Sequence, residues 1–200
     1  MNFFYIFLLS PFLVFGKSNL DFTLNSNTEF RSREELLKPL NGELFLGSKD
    51  AKVKIVVFDS YSCIHCARFY SEIFPILEET YIKSNQVSFV HKEFPLDKRA
   101  LFATKTTSCS ANKLETVKEI YKNQEKLLTR NEYEEDLLKM KGISKVCMQN
   151  FDEDKLSKQA FEYSKVLSIR GTPTVFINGE KFEKLSQKNL INEIDRLLKK

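Results

Sequence analysis

Two thiols set two residues apart, in Cys63-Ile64-His65-Cys66, are the side chains of this chain best suited to covalent chemistry. One helical turn brings such a pair within bonding distance, so that they can pass a disulfide to or from another dithiol. The first cysteine of the pair is the expected nucleophile. At a helix N-terminus its thiolate faces unpaired backbone N–H groups and the positive end of the helix dipole, which lowers its pKa and makes it a good leaving group. His65, between the cysteines, can add a hydrogen bond or a positive charge to the same sulfur. Cys66, one turn further in, is suited to resolving a mixed disulfide.

A zinc site needs a second cysteine pair or histidines at matching spacing. Here the other two cysteines, Cys109 and Cys147, are isolated, and His91 falls within an apolar run that reads as a strand, where it is expected to be a packed residue. No metal and no cofactor is expected. An inert disulfide between Cys63 and Cys66 is also a poor reading, because so short a loop constrains little of the unfolded chain. One tight and one wide pair of cysteines instead predict one catalytic and one structural disulfide.

A second motif is Gly171-Thr172-Pro173-Thr174, directly before an apolar strand. Proline cannot continue a ladder, so it marks the first residue of a strand or a cis bond. The expectation is that the Thr172–Pro173 bond is cis and lies against Cys63, presenting the Thr172 backbone to an extended peptide. Ile64, Thr172 and Pro173 are the candidate substrate-binding residues.

The elements that must hold these residues follow from the pattern. Ser32 is a plausible N-cap for a short helix before Pro39. Glu43 to Leu46 alternates as a strand, and Lys52 to Phe58 runs into continuous apolar residues, as a strand entering a sheet buried on both faces does. Asp59-Ser60-Tyr61-Ser62 favours a turn and a helix start. Phe69, Ile73, Ile76 and Leu77 then recur at helical spacing to about Lys83, with Pro75 expected to kink that helix. Gln86 to Phe94 is a second buried strand, and Asp97 to about Leu167 reads as roughly four helices. Thr174 to Ile177, the turn Asn178-Gly179 and a partner strand from Lys181 to Glu183 form a hairpin. An amphipathic helix from Gln187 to Leu198 closes the chain.

The chain has 200 residues, 42% hydrophobic and 29% charged, the balance of a folded globular protein rather than a disordered or multi-span one. The net charge of +4 is spread among scattered lysines and nearly as many acids, which argues against nucleic acid as a partner. Met1 to Gly16 carries no charge and is shorter than the ~20 apolar residues a membrane span needs; it reads as a signal peptide, residues 1–16, although without a basic start. Export is the setting in which disulfides persist.

Taken together, Phe45-Leu46-Gly47-Ser48-Lys49-Asp50-Ala51-Lys52-Val53-Lys54-Ile55-Val56, the Phe58 to Cys66 site, Glu93-Phe94-Pro95-Leu96 and the stretch from Gly171 to Gly179 resemble the DsbA family of bacterial disulfide oxidoreductases. The resemblance implies an α/β, thioredoxin-like fold with an inserted helical domain. Its parts would be a lead-in at 17–42, halves of the thioredoxin-like domain at 43–96 and 169–200, and the insert at 97–168. It also implies a periplasmic enzyme that oxidises reduced, newly exported proteins and is reoxidised by a DsbB-like membrane quinone reductase. Cys63 would be the nucleophile, Cys66 the resolving cysteine, His65 the residue that tunes the thiolate, and Thr172-Pro173 the cis-proline loop.

The sequence departs from that family at Ile64, where proline is commonest, and carries Asp59 only near the place of the usual strand-end acid. Cys109 and Cys147 resemble the α-proteobacterial branch, whose second disulfide lies in the helical insert, and are expected to pair. The short lead-in favours a monomer, with a small oligomer as the alternative. An isomerase or reductase of the same fold is the nearest alternative function. A periplasmic copper chaperone, holding the ion between Cys63, Cys66 and a histidine, is the alternative from another class, weakened by the presence of only two histidines.

Overall fold

The computed structural model describes residues 29–200; the expected signal peptide and the start of the lead-in lie outside them. Helix α1 spans Arg33–Leu37 and starts on a capping box in which Ser32 and Glu35 satisfy each other's backbone N–H groups. Strands β1 (Leu44–Leu46), β2 (Val53–Asp59), β3 (Val87–Glu93), β4 (Thr174–Ile177) and β5 (Glu180–Lys181) form one sheet in the order β1-β3-β2-β4-β5. β2 and β3 run parallel and every other pair antiparallel. This is the expected thioredoxin-like α/β fold.

Both faces of the sheet are covered, which is why β2 and β3 are apolar almost throughout. Val53, Ile55 and Val57 of β2 share one core with Val87, Phe89, Val175 and Ile177, and Val56 and Phe58 share another with Val90 and Phe176. The first face packs against α2, which begins at Ile64–Arg68 and continues without a break through Phe69–Ile73, Phe74–Ile76 and Leu77–Ile82. The second and last of these segments are π-helical. They flank Pro75, so the expected kink takes the form of widened turns on either side of the residue that lacks a donor.

Between β3 and β4 stand α3 (Lys98–Ser108), α4 (Lys113–Lys122), α5 (Gln124–Thr129), α6 (Tyr133–Leu138), α7 (Lys145–Gln149) and α8 (Glu153–Val166). About four helices were expected and six are present; α5 and α7, with six and five residues, are too short to show a helical period. These helices build no core of their own. Val117, Ile120, Tyr121 and Leu137 join the core on the α2 face, and Tyr163 of α8 joins the opposite one beside Leu36 of α1. The hairpin partner is Glu180–Lys181, earlier than the expected Lys181 to Glu183. Asn178 and Gly179, at φ 49° and 87°, make the two-residue turn that sets this register. α9 (Gln187–Lys199) packs Leu190 and Ile194 onto the α2 face.

Cys109, at the end of α3, is joined to Cys147 in α7 by a disulfide closing 38 residues of chain. Loop-closure entropy for that length is worth roughly 4 kcal/mol. Replacing both cysteines by alanine is therefore expected to lower the unfolding free energy by several kcal/mol at most, measured by urea titration, while leaving the Cys63–Cys66 site assembled. No helix among the described residues is long and apolar enough to cross a membrane.

Candidate active site

β2 ends at Asp59, the chain turns through Ser60 to Ser62, and α2 starts at Ile64 with Cys63 as its N-cap in an extended conformation, φ −86° and ψ 115°. That start places the Cys63 sulfur against a second loop. The Thr172–Pro173 peptide bond is cis, and the Cys63 thiol donates to the Thr172 carbonyl at 3.1 Å. Thr172 and Pro173 are half-buried beside it, and Ile64 is 67% exposed on the outer side. The nucleophile candidate therefore lies between a backbone edge and an exposed apolar side chain.

Both thiols are free, and their environments push them apart. The Cys66 thiol donates to the Cys63 sulfur, and the Thr172 hydroxyl and the backbone N–H groups of Cys66 and His65 also favour its thiolate. Against the opposing cost of burial, these lower Cys63 to about 5. Cys66 is inaccessible to solvent, and burial, together with its bond to Cys63 and the charge of Asp59, drives its thiol far upward. One sulfur is thus a thiolate at neutral pH and the other a thiol. His65 contributes through its backbone N–H; its imidazole is exposed and makes no hydrogen bond among the described residues.

Beneath the cysteines lies a polar cluster. The parallel register sets Val57 against His91 and Asp59 against Glu93, so all three polar side chains leave the sheet toward α2 and α4. His91 Nε2 is 2.8 Å from Asp59 and 3.3 Å from Glu93. The Tyr121 hydroxyl donates to Asp59 Oδ1 at 2.8 Å, and Tyr61 and Thr104 donate to Glu93 at 3.0 and 2.9 Å. Tyr70 is 2.9 Å from His91 Nδ1. His91 is therefore more than the packed strand residue expected from its apolar neighbours. Burial alone would lower its pKa, but the charges of Asp59 and Glu93 outweigh burial and hold it well above the usual imidazole value. Burial, with Glu93 adding to it, raises Asp59 despite the imidazolium beside it.

The donor atoms of Asp59, His91 and Glu93 all lie within 4.8 Å of one another, close enough to share a metal ion. The imidazolium already sits between the two carboxylates as their counter-charge. Asp59→Asn keeps an acceptor for Tyr121 but removes one of those charges, and it is expected to cost about 2 to 3 kcal/mol of stability near neutral pH. The raised pKa of His91 means that its contribution is complete below its ordinary value of 6.5 and is lost as pH rises through the folded-state value. Urea titrations of the variant and wild type across pH measure both effects.

Two groups at the site were missed by pattern. Gln124 of α5 is buried and donates to two carbonyls of the turn before α2. Lys92, on the opposite face of β3, is fully buried and pairs with Glu43 at 2.7 Å; burial lowers its pKa while Glu43 holds the charge. A lysine at the end of a run of buried strand residues is a visible signal for Lys92. Nothing local marks Gln124.

A family model described as thioredoxin matches residues 40–196. The chain is 28% identical over 189 residues to a Rickettsia bellii protein named as a protein-disulfide oxidoreductase, covering 88% of this chain and 72% of that one. It is 30% identical over 157 residues to disulfide bond formation protein D of Bacillus cereus, with 67% of this chain and 69% of that protein covered. A Rickettsia typhi relative, 30% identical over 169 residues, matches 79% of this chain and 63% of its own length. Among solved structures, alpha-DsbA1 of Wolbachia pipientis is similar in fold, with a TM-score of 0.74 at 24% identity, covering 84% of this chain and 96% of that one. With the matched family spanning most of the described residues and the two thiols standing at the start of α2, the chain belongs to the thioredoxin family, as a thiol-disulfide oxidoreductase.

Proposed function

We propose that this protein is a periplasmic dithiol oxidase that introduces disulfides into reduced exported proteins. The observation that carries this reading is the asymmetry of the two thiols: Cys63 lowered to about 5 beside a buried Cys66 driven upward. A stabilised thiolate favours the reduced enzyme, and an enzyme that prefers its dithiol form gives its disulfide away.

In the proposed reaction, a substrate thiolate attacks the Cys63 sulfur of the Cys63–Cys66 disulfide. The Cys63–S bond to Cys66 breaks, and Cys66 leaves and takes up a proton, as its raised pKa requires. A second substrate thiolate then attacks the substrate sulfur of the mixed disulfide, and Cys63 leaves as a thiolate. Two electrons pass from the substrate dithiol to the enzyme. Ile64, Thr172 and Pro173 would receive the extended substrate, with the Thr172 backbone as its hydrogen-bonding edge. A DsbB-like membrane quinone reductase would withdraw the electrons, and residues 1–16 would direct export.

Refolding of ribonuclease, supplied either reduced or scrambled, tests the direction. Rapid recovery from the reduced form alone, lost in Cys63→Ser, is the expected result. Recovery from the scrambled form would make the chain an isomerase. Retention of copper through dialysis without activity on either form would make it a metal chaperone.

A further inference from the structure

A helix normally fixes its first turn through the side chain of its N-cap residue. α2 has no such bond from its N-cap, Cys63, whose sulfur faces Thr172 instead. The turn is held from outside. Gln124, only 6% exposed at the start of α5, donates through Nε2 to the carbonyl of Tyr61 at 2.7 Å and to that of Cys63 at 3.0 Å. The Cys63 carbonyl is also the one that accepts the N–H groups of Cys66 at 3.0 Å and Ala67 at 3.1 Å, the first hydrogen bonds of the helix. Three residues before Gln124, Tyr121 of α4 donates to Asp59 and packs its ring 5.0 Å from that of Tyr61. The α4–α5 junction therefore grips the end of β2 and the turn together.

We propose that Gln124 is a positioning residue for Cys63, through which the helices between β3 and β4 set the conformation of the nucleophile. The inference rests on the reading of Cys63 as the nucleophile. Both hydrogens of the amide meet carbonyls of that turn. Without them the buried carbonyls of Tyr61 and Cys63 lose a donor, and the turn relaxes to find another. Cys63 then departs from the extended cap conformation that holds its sulfur near Thr172 and the N–H groups of His65 and Cys66. A residue far from the cysteine pair in sequence thus helps to set the acidity of Cys63.

The test compares Gln124→Met, which keeps volume and loses the donors, with Gln124→Glu, which keeps shape but brings an acceptor. Leu36→Ala, a cavity beneath α1 on the opposite face of the sheet, serves as a control for general destabilisation. Each protein is measured for melting temperature, for thiolate ultraviolet absorbance against pH, for its equilibrium with glutathione and for its rate with a reduced peptide. In Gln124→Met the midpoint of thiolate formation should rise from about 5 by about one pH unit. The glutathione equilibrium should then move about tenfold toward the disulfide, and oxidation of the peptide should slow about threefold as Cys63 becomes a poorer leaving group. Gln124→Glu should shift the midpoint further in the same direction, and Leu36→Ala should lower the melting temperature with the midpoint in place.

An unchanged midpoint in Gln124→Met, or an equal shift in Leu36→Ala, overturns the positioning role. A wild-type chain that has the low midpoint but oxidises no peptide overturns the proposed function and leaves the effect of Gln124 on Cys63 readable from absorbance alone.

Discussion

Cys63→Ser is expected to abolish disulfide exchange, by about a thousandfold or more, while Cys66→Ser leaves a chain that captures substrate and cannot release it. A serine hydroxyl is not ionised near neutral pH and cannot form the mixed disulfide, so nothing replaces the thiolate that the start of α2 and Thr172 stabilise. In Cys66→Ser the low-pKa sulfur of Cys63 remains, but the resolving thiol is gone. When the Cys63 thiolate attacks a substrate disulfide, expelling the other substrate sulfur as a thiol, the resulting mixed disulfide then persists. Rates with reduced ribonuclease measure the first loss, and non-reducing gels or intact mass after incubation with scrambled ribonuclease, with the adduct released by dithiothreitol, measure the second. Equal loss without a trapped adduct in Cys66→Ser would contradict the assignment of roles, because a chain with Cys63 intact retains the group that attacks.

The reduced protein is expected to be more stable than the oxidised protein at neutral pH, and the difference should shrink in acid. Cys63 has an ordinary value of 9.0 and is lowered to about 5 in the folded dithiol form. A depressed pKa contributes stability that is complete above the unfolded value and is lost as pH falls through the folded one. The contribution thus grows from about pH 5 upward and levels off near 9. The disulfide form has no such thiolate and gains nothing from it. Cys66, raised by burial, remains protonated across this range and adds no slope of its own. Melting temperatures of both redox forms at several pH values from about 4 to about 8 give the comparison directly. Parallel curves for the two forms would remove the electrostatic basis for an oxidase.

Much of the site was legible because its signals are local. Cys63-Ile64-His65-Cys66 announces its chemistry within one helical turn, the apolar run of β2 followed by Asp59 to Ser62 places that turn at the end of a buried strand, and Thr172-Pro173 stands directly before β4. The N-cap Ser32 behaved in the same way and bonds a backbone N–H three residues on. The short helices α5 and α7 escaped the same reasoning because five or six residues do not repeat a 3.6-residue pattern.

His91 shows where local reading stops. Its apolar neighbours on β3 mark it as buried, and burial alone would make it neutral. Its charge depends on the parallel register of β2 and β3, which brings Asp59 beside it from across the sheet. Tyr121, Tyr61 and Thr104 complete that cluster from three further segments.

By itself the sequence determined the candidate reacting pair, the strand and helix that present it, the proline-bearing loop and the thioredoxin-like class, since each depends on side-chain type and spacing over a few residues. The tertiary structure decided how far apart in acidity the two thiols stand, that the imidazole of His65 turns outward, that His91 is held between two carboxylates, and that Gln124 reaches the turn before α2. Each of those is set by electrostatics and hydrogen bonding between segments that only packing brings together, and such terms depend on distances and burial that spacing along the chain does not encode.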